Sequence, residues 1–268
     1  MEMEKVNIDG TNIAYTRRGH GAPLVLIHGY PLDHSIWDEV APLLEPNFDL
    51  IIPDMRGFGD SDVMEADDSI VDYASDIARL LTHLRINKAY VAGHSMGGYV
   101  ALAFARMYEA RLSGLGMVSS QMAEDTQERK AGRYATAEQV MREGVQPVVD
   151  AMTTKLSADP AIQDFVREVI SRQRPLGIAS ALRAMASRPN SSEIFAGFPF
   201  PVVIVHGDAD MLIPVERGQE MKDALPSAHY VELPGVGHMS MMEDPRRVSE
   251  ALHAFGMVKV KGVKLVNR

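Results

Sequence analysis

Two rhythms of apolar spacing alternate along the chain. Short, nearly unbroken apolar runs occur at PLVLIHG (23–29), FDLIIPD (48–54), AYVA (89–92), LSGLGMV (112–118) and PVVIVHG (201–207). Runs of this length without polar alternation predict strands covered on both faces of a sheet. Between them the spacing becomes helical. In SIVDYASDIARLLTHL (69–84), Ile70, Val71, Ala74, Ile77, Leu80 and Leu81 form one apolar stripe. HSIWDEVAPLLE, YVALAFARMY, ERGQEMKDAL and RRVSEALHAF also predict helices, and HYVEL a further strand. KVNI and NIAYT flank Asp9-Gly10, a pair that favours a tight hairpin turn. Strands alternating with helices predict an α/β fold with a parallel sheet and helices on both faces. Ligands of such sheets bind beyond the carboxyl ends of the strands. The segments to inspect are therefore His28-Gly29-Tyr30, Asp54-Met55-Arg56-Gly57, Ser95, Asp208 to Asp210 and Pro234 to His238.

Residues 121–197 break the alternation. They hold several helical patterns and no strand pattern, with punctuation at Gly144, Pro160 and Pro175. This predicts a helical insertion at 121–197, lying over the carboxyl edge of the sheet as a cap. The core is then residues 1–120 together with 198–268. The tail VKVKGVKLVNR alternates apolar and basic residues, and no function is placed on it.

Composition narrows the function classes. The 268 residues, 46 % of them hydrophobic, suit one domain with a sizeable core or one domain carrying an insertion. A net charge of −9 argues against nucleic acid as a partner, because nothing would balance many phosphates. The absence of cysteine removes disulfides, thiolate metal sites and a cysteine nucleophile. The start, MEMEKVNIDG, lacks the apolar stretch of a signal peptide, and no run reaches the ~18 apolar residues of a membrane span. A soluble cytoplasmic protein is expected, with no membrane partner.

One stretch carries chemistry. In AYVAGHSMGGYVA (89–101), Ser95 stands between glycines where a strand turns into a helix. A serine hydroxyl is a weak nucleophile that needs a base for its proton and donors for the oxyanion it creates. A sharp strand-to-helix turn holds such a serine clear of the backbone. It forces close approach at its flanks, which glycines permit. The helix start beneath it favours negative charge.

With these pieces in view, the chain resembles the α/β-hydrolases over nearly its whole length. The matching segments are HGYPLDHSIW, DMRGFGDSD, GHSMGG, HGDADMLIP and GVGHMSMMEDP, in the family's order. The resemblance is closest to small serine hydrolases: carboxylesterases, enol-lactonases and cofactor-free haloperoxidase-like perhydrolases. It implies a mostly parallel eight-stranded sheet with a helical cap and an order of serine, acid, histidine along the chain. The base is then His238. Asp208 and Asp210 both follow PVVIVHG, and the family's spacing from Gly207 and to Pro214 selects Asp210, leaving Asp208 to loop hydrogen bonds. The oxyanion donors carry over to the backbone N–H groups of Tyr30 and Met96. Asp54 and Arg56 would brace a loop, and His28 and His94 would orient loops. His34 is a candidate for the entrance.

Departures from neighbouring families matter as much. Haloalkane dehalogenases and epoxide hydrolases carry an aspartate where this chain has Ser95, so halide displacement and epoxide opening are not expected. No His-x-x-x-His pair or carboxylate cluster points to a metal, and GHSMGG lacks the lysine of a phosphate-binding loop. No cofactor is expected. Trp37 and most methionines read as core, with some methionines available to an apolar acyl pocket. The expected activity is serine-dependent cleavage of a small-molecule carboxylic ester with a small or medium acyl group. Lactone hydrolysis and perhydrolysis would use the same residues, and a ligand receptor with a slow triad is a rival from another class. The sequence leaves the oligomeric state open.

Overall fold

The computed structural model of the chain describes residues 3–64 and 68–256, so the VKVKGVKLVNR tail lies outside the described residues. Eight strands among them form one sheet: β1 (Glu4–Ile8), β2 (Thr11–Gly19), β3 (Ala22–Ile27), β4 (Phe48–Pro53), β5 (Ala89–His94), β6 (Leu112–Val118), β7 (Val202–Gly207) and β8 (His229–Leu233). The spatial order is β1-β2-β4-β3-β5-β6-β7-β8. Only β1 with β2 and β2 with β4 pair antiparallel; all later pairings are parallel. Asp9 and Gly10 turn β1 into β2 with φ of 49° and 91°. Positive φ at both positions is the twist a two-residue hairpin favours.

The apolar runs behave as their lack of alternation predicts. Successive strand residues point to opposite faces, yet Leu24, Val25, Leu26 and Ile27 are all fully buried, as are Val203, Ile204 and Val205. Both faces of the central strands are therefore covered. The helices are α1 (Ala41–Leu44), α2 (Ile70–His83), α3 (Met96–Met107), α4 (Gln127–Glu143), α5 (Gln146–Leu156), α6 (Pro160–Ser171), α7 (Pro175–Ser187), α8 (Ser192–Phe195), α9 (Glu216–Ala224), α10 (Ser240–Glu243) and α11 (Pro245–His253). α2 starts where the polar pattern places it. Ser69 Oγ accepts from Asp72 N, and the Asp72 carboxylate accepts from Ser69 N, a reciprocal cap.

The helix expected over HSIWDEVAPLLE is broken. A short 3₁₀ turn spans His34–Trp37 and a single α-turn spans Ala41–Leu44. Pro42 has no N–H for the Asp38 carbonyl, and its ring would clash with that carbonyl in a continuous helix. The backbone instead uses i→i−3 bonds, Asp38 N to Ser35 O and Val40 N to Trp37 O. Trp37 is fully buried there.

Five helices, α4 to α8, fill the chain between β6 and β7. Gly144, with φ of 80°, ends α4, and prolines stand in the first turns of α5, α6 and α7. This segment is tied to the DMRGFGDSD stretch after β4. Gln173 Oε1 accepts from Gly59 N at 3.0 Å, and Ser180 Oγ bonds both the amide and the carboxylate of Asp68. Arg56 in turn makes a two-pronged contact to Asp76, both arms at 2.6 Å, and reaches Asp68 at 2.8 Å. No helix among the described residues is long and apolar enough to cross a membrane.

Candidate active site

The parallel register brings the strand ends into line. Ile27 stands opposite Gly93, His94 opposite Val118, Val118 opposite Val205, and Gly207 opposite Leu233. The segments after β3, β5, β7 and β8 therefore emerge on one edge, the edge where α/β sheets bind ligands. Tyr30, Ser95, Asp210 and His238 all lie on those segments.

Ser95 alone makes the turn between β5 and α3, at φ 52° and ψ −114°. Such torsions cost energy in any residue with a side chain and persist only where the surroundings enforce them. Here Ser95 N donates to Val118 O at 2.9 Å and Ser95 O accepts from Ser120 Oγ at 2.8 Å. The approach needs its glycines. A Cβ on Gly93 would run into the Gly97 carbonyl, and one on Gly97 would stand 2.5 Å from Ile27 O.

Asp210 and His238 meet from loops 28 residues apart. His238 Nδ1 lies 2.7 Å from Asp210 Oδ2, and both side chains are buried. An ionised carboxylate only accepts, so Nδ1 carries a proton, and in the neutral imidazole Nε2 is the bare nitrogen. Nε2 is buried with no partner. Ser95 Oγ is not hydrogen-bonded to it, and such contacts often tighten only when substrate is bound. The other oxygen of Asp210 accepts from Leu212 N at 2.8 Å and Ile213 N at 2.9 Å. Burial, the largest single influence, raises the pKa of Asp210. The charge and hydrogen bond of His238, with the two amides, together outweigh it and hold the carboxyl below its usual range.

Tyr30 and Met96 stand on either side of this turn. A Cβ on Gly29 would come within 3.1 Å of Ser95 Cβ, so the Gly29–Tyr30 peptide runs beside the serine. Met96 is the first residue of α3. Neither N–H has an acceptor among the described residues.

Two further histidines, His94 and His28, act as braces for the loops around this turn. His94 is fully buried, its ring centre 4.7 Å from that of His238, and its Nε2 donates to the His238 carbonyl at 3.0 Å. Burial, then the neighbouring His238, push its pKa well down. His28 Nε2 accepts from Met55 N at 2.9 Å, and burial lowers its pKa also. Asp208 makes a loop bond, accepting from Gly235 N at 2.6 Å. Glu243, which sequence reasoning missed, accepts from Gly237 N at 2.6 Å and so fixes the residue before His238. A local signal existed, since Glu243 lies six residues after Gly237 in the same loop-and-turn segment.

A cavity of about 570 Å³ opens over Ser95 and Tyr30. Its far walls come from α4, α5 and α7. Val148, Met152, Leu182, Met185, Leu212 and Ile213 give it an apolar surface, while Arg129, Arg133, Lys155 and Glu128 line it with charge. The arginines depart from the apolar acyl pocket that the sequence predicts. Behind them Asp125 is held by Arg133 Nε at 2.5 Å, Arg188 Nη1 at 2.9 Å and Arg129 Nε at 3.5 Å. Asp125, Arg129 and Arg133 are spaced by four, a helical-face signal that was legible; Arg188, 63 residues on, was not.

Asp125 sets a stability prediction. Burial, the largest influence on its pKa, raises it, and the hydrogen bonds and charges of Arg188 and Arg133 outweigh that and leave it depressed. A depressed carboxyl contributes stability above its unfolded pKa of about 3.9 and loses it as pH falls through the lower folded value. Asp125→Asn should cost about 3–5 kcal/mol at pH 7, because buried arginines are left unpaired. Urea titrations should show the gap to wild type narrowing below about pH 4, where the wild-type carboxyl also protonates.

One group could in principle hold a cation, although sequence spacing gave no hint of it. Asp33, His34 and Asp54 place ligand-capable atoms within 4.8 Å of one another. Several of their lone pairs are already engaged. Asp54 Oδ1 accepts from His34 N at 2.8 Å and His34 Nδ1 at 2.7 Å, and Oδ2 accepts from Asp60 N at 2.9 Å. Asp33 Oδ1 caps Ser35, and Arg172 stands 3.7 Å from its other oxygen. The group braces the loop after β3 against the loop after β4.

Comparison with known proteins agrees with this architecture. Residues 22–245 match the sequence profile of the alpha/beta hydrolase fold. A thermophilic esterase from Thermogutta terrifontis, solved with malate bound, superimposes with a TM-score of 0.91 at 33 % identity, covering 96 % of this chain and 98 % of that one. The enol-lactonase from Burkholderia xenovorans LB400 shares the fold, with a TM-score of 0.86 at 23 % identity over 95 % of this chain and 100 % of that one. The 2-hydroxy-6-oxo-6-(2'-aminophenyl)hexa-2,4-dienoic acid hydrolase of Metapseudomonas resinovorans is 25 % identical over 93 % of this chain and 89 % of its own. With its strand order, its serine turn and the profile match over most of its length, the chain belongs to the α/β-hydrolase family.

Proposed function

We propose that the protein is a serine hydrolase that cleaves carboxylic esters through an acyl-enzyme, with Ser95 as nucleophile, His238 as base and Asp210 as the acid that orients it. The observation that carries this reading is the buried 2.7 Å contact between His238 Nδ1 and Asp210 Oδ2, with Nε2 left bare on the sheet edge that holds Ser95. Ser95 Oγ attacks the ester carbonyl carbon, and Nε2 takes its proton. The carbonyl π electrons move to oxygen, and the N–H groups of Tyr30 and Met96 receive the oxyanion. When the tetrahedral intermediate collapses, the C–O bond to the alcohol breaks and His238 returns the proton to the leaving oxygen. Water then attacks the acyl-enzyme by the same route and restores Ser95. Asp210 stabilises the imidazolium at each half of the cycle.

Residues 121–197 act in this reading as the cap. Support comes from the cavity walls supplied by α4, α5 and α7 facing Ser95 and Tyr30. Specificity would then reside in side chains such as Met152 and Met185. Enlarging the apolar wall by Met185→Ala should shift the preferred acyl length upward, with a change of roughly tenfold to a hundredfold in the ratio of kcat/KM values.

Turnover of a p-nitrophenyl ester series, with lactones and with hydrogen peroxide as alternative acceptor, tests the reading. Many turnovers per protein on simple esters are expected. Product release that stops near one equivalent would instead identify a ligand receptor, and activity confined to lactones would move the substrate class.

A further inference from the structure

The chain carries 36 acidic against 27 basic residues, yet the charged lining of the Ser95 cavity has the opposite balance. Three cations, Arg129, Arg133 and Lys155, face it with one carboxylate, the exposed Glu128. Just behind this wall a single carboxylate, Asp125, serves three guanidinium groups, those of Arg129, Arg133 and Arg188. Glu124 pairs with Lys130 at 2.5 Å. Arg188 lies over the Tyr99 ring, 4.0 Å from its centre, and Tyr99 also lines the cavity.

Arg133 is the centre of this arrangement. Its Nε is taken by Asp125, while its terminal nitrogens have no acceptor among the described residues. The side chain is only 13 % exposed and lines the cavity, so these donors are open to a molecule bound there. Burial pushes the phenol of Tyr30 upward and the charge of Arg133 pulls it back, which places Arg133 within electrostatic reach of the residue beside the serine. A guanidinium whose terminal N–H groups form an open fork matches a carboxylate two-pronged. The cavity that Arg133 shares with Ser95 is also lined by the apolar side chains of Val148, Met152 and Leu182.

We infer that the preferred ester carries a carboxylate separated from its ester group by an apolar stretch, the carboxylate received by Arg133 with Arg129 at the rim. This rests on the ester-hydrolase reading and adds the substrate's charge to it. The substrate is then a monoester of a dicarboxylic acid, or an ester of a hydroxy acid, according to which half points toward α4.

Two matched pairs test it. The first is the 4-nitrophenyl monoester of adipic acid against the same compound with its free carboxyl methylated. The second is the butyrate ester of 6-hydroxyhexanoic acid against its methyl ester. For at least one pair the anionic member is expected to have the higher kcat/KM, by roughly 10- to 100-fold. Arg133→Gln should remove most of that preference. Arg129→Gln, a change at a position 40 % exposed and so tolerant for folding, should reduce it. Calorimetry of the adipate monoester with the Ser95→Ala protein reads the same preference without turnover. Equal or inverted preference in both pairs, with active enzyme, would overturn the carboxylate inference and leave the ester-hydrolase reading standing. Tighter binding of the anionic member with no turnover of any ester would uphold the anion site and overturn ester hydrolysis instead.

Discussion

Replacing Ser95 with alanine should lower kcat for ester hydrolysis on the order of a millionfold, the scale seen when a triad nucleophile is removed. The folded protein should scarcely notice. Ser95 Oγ makes no hydrogen bond among the described residues, and its backbone bonds to Val118 and Ser120 do not involve the hydroxyl. Alanine must adopt the same φ of 52°, with a Cβ in the same place, so no new strain arises. Thermal unfolding should therefore shift by no more than about 0.5 kcal/mol. A pure Ser95→Ala protein with wild-type-like turnover would remove the nucleophile from this site.

Asp210→Asn should lose about four orders of magnitude in kcat. The carboxylate now accepts from Nδ1 at 2.7 Å, which leaves Nε2 free to take the serine proton. Its other oxygen already accepts from the amides of Leu212 and Ile213, and an asparagine would keep its carbonyl there. The NH₂ group would then face Nδ1 and force the proton onto Nε2, the wrong nitrogen. Asp208→Asn is the control. Among the described residues Asp208 Oδ1 accepts only from Gly235 N, an asparagine oxygen can do the same, and less than about tenfold should be lost. The reverse ranking would exchange the roles of the two aspartates.

Apolar spacing made most of the core legible because a doubly covered parallel strand has few ways to read. PLVLIHG, LSGLGMV and PVVIVHG became β3, β6 and β7 with ends within two residues of the pattern. The helix at HSIWDEVAPLLE was misread because its apolar spacing is helical while Pro42 denies the backbone the bond that continuity needs. Ser95 was legible locally, since the strand-to-helix turn and its glycines are written in adjacent residues. Asp210 and His238 were reached through family spacing, because no local pattern says that two loops 28 residues apart will meet. The braces were the least visible. The bonds from His94 to the His238 carbonyl and from Arg188 to Asp125 join residues 144 and 63 positions apart, and only the folded sheet edge and the α4–α7 packing create them.

The central claim is that Ser95 is the activated nucleophile, and covalent labelling tests it most directly. A fluorophosphonate is attacked by an activated serine and leaves a stable phosphonyl adduct on its oxygen. After reaction and digestion, mass spectrometry should find one adduct per chain, on Ser95, formed slowly or not at all in Asp210→Asn. An adduct on another serine, or an unlabelled Ser95 in a protein that still hydrolyses esters, would contradict it.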